Sequence, residues 1–235
     1  MCEMSTEVSA QEKRAIFNTA FITGSTIFIM GYVNALALQT PQLGMMVTPQ
    51  TGNVIWMGLN PAFGNWPQFI SNLALFFGFI FGCLFAFMNQ NLIKHKTIQF
   101  FFSWSLFALP VALYPFYAPY ISTQVAFLMM GLSAGFGCGF FRKMYHLEIN
   151  NAMATGNVRF LGVWFAEGVL RKKEGGLFTL WIFVICVFLF AFGAFIMGTA
   201  LNLDRAGTFG FSLVNTLLIV FCIIPCFFAP KNTAS

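Results

Sequence analysis

Six long apolar stretches dominate this chain of 235 residues and restrict it to a membrane-spanning fold. A helix needs about 20 apolar residues to cross the hydrocarbon core of a bilayer. Hydrophobic residues make up 58% of the chain and charged residues only 8%, whereas a soluble domain has about 25% charged residues. The sequence therefore predicts an all-α polytopic membrane protein with six transmembrane helices. The predicted spans are residues 17–38, 66–92, 98–118, 122–141, 177–201 and 207–229.

A Thr-Gly-Asn triplet occurs twice, and its surroundings repeat with it. Thr51-Gly52-Asn53 and Thr155-Gly156-Asn157 are 104 residues apart (155 − 51), and each has a glycine five residues after its asparagine. Gly31 and Gly135 keep the same separation. This pattern predicts two repeats in one chain. The predicted parts are an N-terminal tail at 1–14, a first three-helix repeat at 15–118, a second at 119–229 and a C-terminal tail at 230–235.

Basic residues alternate from loop to loop. The loop at 39–65 and the loop between spans three and four carry no charge, and the loop between spans five and six pairs Arg205 with Asp204. Cytoplasmic loops carry an excess of Lys and Arg, so six spans with both termini in the cytoplasm fit the pattern. Eight spans, with both triplet segments crossing, would place basic loops outside. The bases are Lys13, Arg14, Lys94, Lys96, Arg142, Lys143, Arg159, Arg171, Lys172, Lys173 and Lys231.

Three spans in each half give the two halves opposite orientations, which predicts an inverted repeat. The triplets then lie on opposite sides of the membrane, in segments 43–59 and 149–166 that are too apolar for ordinary loops and too short to span comfortably. We expect each to form a re-entrant or broken half-helix. Thr48 followed by Pro49 resembles a helix start, with Thr48 as N-cap.

The triplets are the candidate solute site. They would lie in the first helical turn, where backbone N–H groups lack helical partners and glycine allows a solute to approach. Two such ends from opposite faces would form a polar site near the midplane, as in transporters with discontinuous helices. A purely structural role, as caps and packing residues, stays open. The candidate residues are Asn34, Thr51, Gly52, Asn53, Thr155, Gly156 and Asn157.

The sequence contains no motif for catalysis, nucleotide binding or metal binding. No Asp or Glu lies inside a predicted span, and no P-loop, Ser/His/Asp set or metal-ligand cluster occurs. The six cysteines include no C-x-x-C pair. The basic residues flank the predicted spans. The net charge of +5 therefore predicts the lipid bilayer, rather than nucleic acid, as the partner. We therefore expect no enzyme activity, no cofactor and no metal.

Small residues form stripes in the second and fourth spans. Gly78 and Gly82 are four residues apart, as are Gly131, Gly135 and Gly139. Such stripes allow helices to approach closely. They predict tight packing, either within one chain or between the subunits of a homo-oligomer.

The sequence Gly31-Tyr32-Val33-Asn34-Ala35, followed by Thr51-Gly52-Asn53, resembles the YoaK-like family of small bacterial integral membrane proteins. The resemblance covers about residues 15–229 and implies a multi-pass protein of the bacterial inner membrane, described in this family as a predicted membrane protein or small-molecule permease. The family often has Gln-Asn-Ala in the second half, where this chain has Gly137-Cys138-Gly139. Cys138 therefore removes the asparagine that would match Asn34.

Three functions fit these features. The favoured one is a facilitator-type permease for a small solute, working without a buried carboxylate. The second is a channel-like pore for a small neutral solute or anion. The third is a non-transport membrane protein that acts through helix–helix contacts. The sequence does not identify the solute.

Overall fold

The computed structural model describes residues 10–39, 46–117, 120–145, 147–151, 154–205 and 212–229, and these residues are almost entirely helical. A π-helical turn at Ala166–Leu170 extends the seventh helix, and a 3-10 turn at Ile224–Phe228 extends the ninth. Between the sixth and seventh helices lies a short hairpin of β1 (Lys143–Met144) and β2 (Leu147–Glu148), which the sequence did not predict. The helices are α1 (Ala10–Gln39), α2 (Gln50–Ala62), α3 (Trp66–Leu92), α4 (Lys96–Ala112), α5 (Tyr114–Tyr117), α6 (Thr123–Phe140), α7 (Ala154–Phe165), α8 (Gly176–Arg205) and α9 (Ser212–Ile223).

Four helices, α1, α3, α6 and α8, have the length and apolar character to cross a membrane. They coincide with the first, second, fourth and fifth predicted spans. The third and sixth predicted spans contain shorter helices, α4 and α9. Helix α4 ends three residues before Pro115, and α9 ends two residues before Pro225. Proline has no backbone N–H, so it cannot continue the helical hydrogen bonds. Helix α1 begins at Ala10, so residues 10–14 of the predicted N-terminal tail 1–14 are helical. The rest of that tail, the C-terminal tail at 230–235, the repeat boundary at 118–119 and the predicted span start at 207–211 lie outside the described residues.

The glycine stripes of α3 and α6 face each other within one chain. A Cβ added to Gly135 would lie 2.1 Å from the carbonyl oxygen of Phe79, and one added to Gly82 would lie 2.2 Å from that of Leu132. Because Gly78 meets Leu128 and Gly82 meets Leu132, the two helices run parallel. The predicted close packing is confirmed inside the fold, and a homo-oligomer stays a prediction.

Helices α1 and α8 cross through an equivalent contact. A Cβ on Gly31 would lie 2.0 Å from the carbonyl oxygen of Phe190, and one on Gly193 would lie 2.1 Å from that of Phe28. Phe28 and Leu132 are again 104 residues apart (132 − 28), as are Gly31 and Gly135. Helix α6 therefore packs on α3 of the first half, and α1 packs on α8 of the second half, through matching residues.

Helix α1 runs antiparallel to α6. A Cβ on Gly137 would lie 2.7 Å from Cε of Met30, and Oγ1 of Thr23 donates to the carbonyl oxygen of Lys143 at 2.5 Å. The earlier residue of α1 thus meets the later residue of the α6 segment. Helices α1 and α6 therefore point in opposite directions.

The two triplet segments fold as short helices. Helix α2 has 13 residues and α7 has 12. At 1.5 Å per residue each reaches about 18–20 Å, less than the roughly 30 Å of a hydrocarbon core. Helix α2 packs on α3, and α7 packs on α8.

One end of the helix bundle carries basic residues from three separate loops. Arg14, Lys96, Arg142 and Lys143 line a single cavity of about 1060 Å³. The cavity lies where α1 and α4 begin and where α3 and α6 end. We call it the basic cavity.

Candidate functional site at the two Thr-Gly-Asn segments

Both triplets occupy the second to fourth positions of a short helix. Helix α2 starts at Gln50 and α7 starts at Ala154, so the 104-residue offset is kept by the helix start as well. The predicted cap at Thr48 is wrong by one residue. Pro49 is the N-cap and makes no side-chain capping hydrogen bond.

The triplet asparagines make the same hydrogen bond in both halves. Nδ2 of Asn53 donates to the carbonyl oxygen of Met46 at 3.2 Å, and Nδ2 of Asn157 donates to that of Asn150 at 2.8 Å. In each case the acceptor lies seven residues earlier. Asn157 also accepts from the backbone N–H of Asn150 at 3.2 Å. Each asparagine thus fastens the start of its helix to the preceding loop.

Both asparagines are buried, with 2% exposure for Asn53 and 1% for Asn157. Their amides bond to the backbone, so the sequence interpretation as structural residues has a concrete basis. The role as solute ligands stays a prediction.

The other triplet residues differ between the halves. Thr51 and Gly52 are exposed, and a Cβ on Gly52 would meet no atom within 4 Å. A Cβ on Gly156 would lie 2.9 Å from Nδ2 of Asn150, so the space beside Gly156 is occupied by a side chain. The side chain of Thr155 lies outside the described part. The first turn of α2 is therefore open to a solute at Thr51 and Gly52.

Asn34 ties α1 to the loop before α2. Its Nδ2 donates to Oγ1 of Thr48 at 2.8 Å and to the carbonyl oxygen of Met30 at 2.7 Å, while its Oδ1 accepts from the backbone N–H of Thr48 at 3.2 Å. Asn34 is 5% exposed. The two hydrogen bonds with Thr48 hold the loop before α2 against α1.

The second half also connects a helix to the following loop, but here the asparagine lies in the loop and not in the helix. Cys138 occupies the place of Asn34, but Nδ2 of Asn151, in the loop, donates to the carbonyl oxygens of Gly137 at 2.8 Å and Phe141 at 2.6 Å. Helix and loop partners are 14 residues apart in both halves, 34 to 48 and 137 to 151. Asn151 therefore supplies the tie that Cys138 cannot. Sequence reasoning missed it, although its distance from the end of the fourth span was a usable signal.

The structure does not bring the two triplets together. Their helices pack on different partners, and in the described part of the chain no substantial packing joins α2 to α7. The two triplets lie instead on separate short helices, and the asparagine of each triplet bonds its helix to the preceding loop.

Two buried asparagines, one on α2 and one on α3, have side-chain amide atoms with no hydrogen-bond partner in the described part of the chain. Asn72, on α3, has no exposed surface, and neither its Nδ2 nor its Oδ1 is paired. Asn60, on α2, is 4% exposed and its Nδ2 is unpaired. An unpaired buried amide costs about 1–3 kcal/mol, and most buried polar groups are satisfied. Sequence reasoning missed both residues, and for Asn72 the available signal was an asparagine inside the apolar span 66–92.

Asn89, on the same helix as Asn72, differs in that its Nδ2 is paired, although its Oδ1 has no hydrogen-bond partner among the described residues. Its Nδ2 donates to Oγ of Ser103 at 2.5 Å and to the carbonyl oxygen of Gln99 at 3.4 Å. Gln99 in turn donates to the carbonyl oxygen of Asn89 at 3.1 Å. These bonds join α3 to α4, so a structural role accounts for Asn89 and leaves Asn72 unexplained by packing.

The sequence profile of one family, described as "Protein of unknown function (DUF1275)", matches residues 22–224. The chain belongs to this family. The match includes both triplets and every helix from most of α1 to α9, and it agrees with the resemblance to the YoaK-like proteins. No curated protein and no solved structure is significantly similar to the chain. The family match and the four long apolar helices identify a membrane protein of a family without an assigned function.

Proposed function

We propose that this protein is a facilitator-type permease for a small polar solute. The observation that carries the proposal is the repetition of one unit: a short half-helix, fastened by the same asparagine hydrogen bond, in two halves that pack reciprocally. Transporters built from inverted repeats place discontinuous helices in this way on either side of a solute site. The absence of Asp and Glu from the predicted spans favours transport without a buried carboxylate.

Three observations support opposite orientations of the halves. Helix α2 is too short to cross a bilayer, so the direction of the chain reverses between α1 and α3 without a full crossing. The repeat-related helices α1 and α6 are antiparallel. The basic residues of three loops line one cavity, which the positive-inside rule assigns to the cytoplasm. Both termini are then cytoplasmic, α2 lies on the outer side and α7 on the inner side.

In this proposal the polar groups have different tasks. Asn34, Asn53, Asn151 and Asn157 hold the half-helices in place. The open first turn of α2, at Thr51 and Gly52, offers unpaired backbone N–H groups. Asn72 supplies an NH2 donor group and a carbonyl acceptor that no described protein group uses, which suits a solute with both hydrogen-bonding functions.

The test begins with purified protein and a library of metabolites. A solute that binds the native state raises the apparent melting temperature by mass action. That solute is then used for uptake into proteoliposomes, where saturable flux indicates a permease and fast, unsaturable flux indicates a channel.

Asn53→Ala and Asn157→Ala are expected to weaken uptake of the identified solute in protein that still folds. Each variant loses a hydrogen bond with a net value of about 0.5–1.5 kcal/mol and releases a half-helix. If the two half-helices serve one pathway, the double variant departs from the sum of the singles. Asn91→Ala is the matched control, since this exposed amide bonds only to the carbonyl oxygen of Phe87 in its own helix. Normal uptake by both triplet variants would leave Thr-Gly-Asn as a structural motif only.

A further inference from the structure

The basic cavity combines a charged rim with an apolar wall. Arg14, Lys96, Arg142 and Lys143 are exposed at its rim, whereas Phe100 and Phe141 in its interior are buried. Its volume of about 1060 Å³ is at the upper end of the range of small-molecule sites, about 300–1,000 Å³. A cavity of this kind matches a ligand with one anionic end and one apolar end.

The charge of the lining has one sign. None of the lining residues in the described part of the chain is acidic. Glu148 approaches Arg142 at 3.6 Å, but both side chains are at least half exposed, and exposed pairs of this kind contribute little. The cations also belong to segments far apart in sequence, so local helix chemistry does not explain their convergence.

Several hydrogen bonds hold the cavity in shape. Thr23 donates to the carbonyl oxygen of Lys143 at 2.5 Å, and Gln90 donates to that of Gly139 at 3.1 Å. Gln99 donates to the carbonyl oxygens of Asn89 and Gln90 at 3.1 and 3.2 Å. These bonds join α1, α3, α4 and the α6–β1 segment around the cavity.

We propose that the basic cavity binds an amphiphilic phosphate, with its phosphate among the four cations and its apolar part against the phenylalanines. Arginine binds phosphate through paired N–H groups, and lysine binds it as a point charge. Such a ligand comes either from an acidic membrane lipid, for which basic pockets between transmembrane helices are suited, or from a soluble alkyl phosphate. In the described part of the chain, no residue of α2 or α7 lines the basic cavity, and the test of this site requires no transport.

The experiment measures binding to the full-length protein in a neutral detergent. The probes are dioctanoyl phosphatidylglycerol, dioctanoyl phosphatidylcholine and octyl phosphate, followed by the shift in melting temperature and by titration. The variants are Lys96→Gln and Lys143→Gln, singly and together. Lys94→Gln is the control, because Lys94 is exposed, lies two residues before Lys96 and does not line the cavity.

We expect phosphatidylglycerol to stabilise the protein more than phosphatidylcholine. Each cavity variant should raise the Kd about fivefold, which corresponds to about 1 kcal/mol per basic residue, and the Lys94 control should not. Tighter binding of phosphatidylglycerol than of octyl phosphate identifies a lipid as the source, and the reverse order identifies a soluble amphiphile. Equal stabilisation by both lipids with no effect of octyl phosphate, or equal binding by the cavity variants and the control, would overturn the proposal.

Discussion

Replacing Gly135 with leucine is expected to produce the largest loss of stability of any single change in the glycine stripes. Even the Cβ of the new side chain would lie 2.1 Å from the carbonyl oxygen of Phe79, and the next two atoms in reach are also backbone atoms of Phe79. A backbone cannot move aside as a flexible side chain can, so α3 and α6 must separate. Overpacking costs about 1–3 kcal/mol in typical cases and more in some. The melting temperature in detergent should fall by several degrees or more.

The control for this experiment is Gly58→Leu. Gly58 lies inside α2, it is exposed, and a Cβ added there would meet no atom within 4 Å. The same leucine should therefore leave the melting temperature nearly unchanged or raise it, because leucine favours helix more than glycine by up to about 1 kcal/mol. If Gly135→Leu and Gly58→Leu melt at the same temperature, the contact between α3 and α6 is not as close as described.

Replacing Asn72 with leucine is expected to separate function from stability. Leucine has the same branching as asparagine but needs no hydrogen bonds. Removing an unpaired buried amide should leave the free energy of unfolding unchanged or increase it by about 1–3 kcal/mol. If the amide serves a solute, binding of the solute identified by the screen should weaken about 5- to 150-fold, which corresponds to about 1–3 kcal/mol for a polar group left unpaired.

Asn89→Leu provides the opposite expectation on the same helix. Asn89 is also buried, at 4% exposure, but it donates to Ser103 and Gln99. Leucine there should lower the melting temperature and leave solute affinity unchanged in the folded fraction. A stabilised Asn72→Leu protein with normal solute binding would remove Asn72 from the proposed site.

The sequence predicted the large features of the fold because they depend on local composition. Long apolar runs predict where α1, α3, α6 and α8 form, and the triplets with their apolar surroundings predict the two half-helices. Glycines four residues apart predict close packing, but they do not say which helix is the partner. The contact of Gly31 with Phe190 joins residues that are far apart in the chain, and no local pattern reveals it.

Side-chain partners were harder to predict for the same reason. The exchange of roles between Asn34 and Asn151 depends on which loop lies against which helix end. In the sequence, Cys138 stands where an asparagine would match Asn34, and the structure shows that Asn151 connects helix and loop there instead. The side-chain amide of Asn72 is unpaired because of the residues around it in the fold. The sequence shows only that an amide lies in an apolar span.

Labelling of single cysteines in intact cells tests the central claim, the opposite orientation of the two repeats, most directly. Asn65 and Glu174 lie in the equivalent turns that follow α2 and the extended α7, and both are exposed. In a protein without its six native cysteines, Asn65→Cys should react with a membrane-impermeant thiol reagent. Glu174→Cys and Lys94→Cys should react only after the cells are opened. Reaction of Asn65→Cys and Glu174→Cys from the same side of the membrane would contradict an inverted repeat, and with it the permease architecture proposed for this protein.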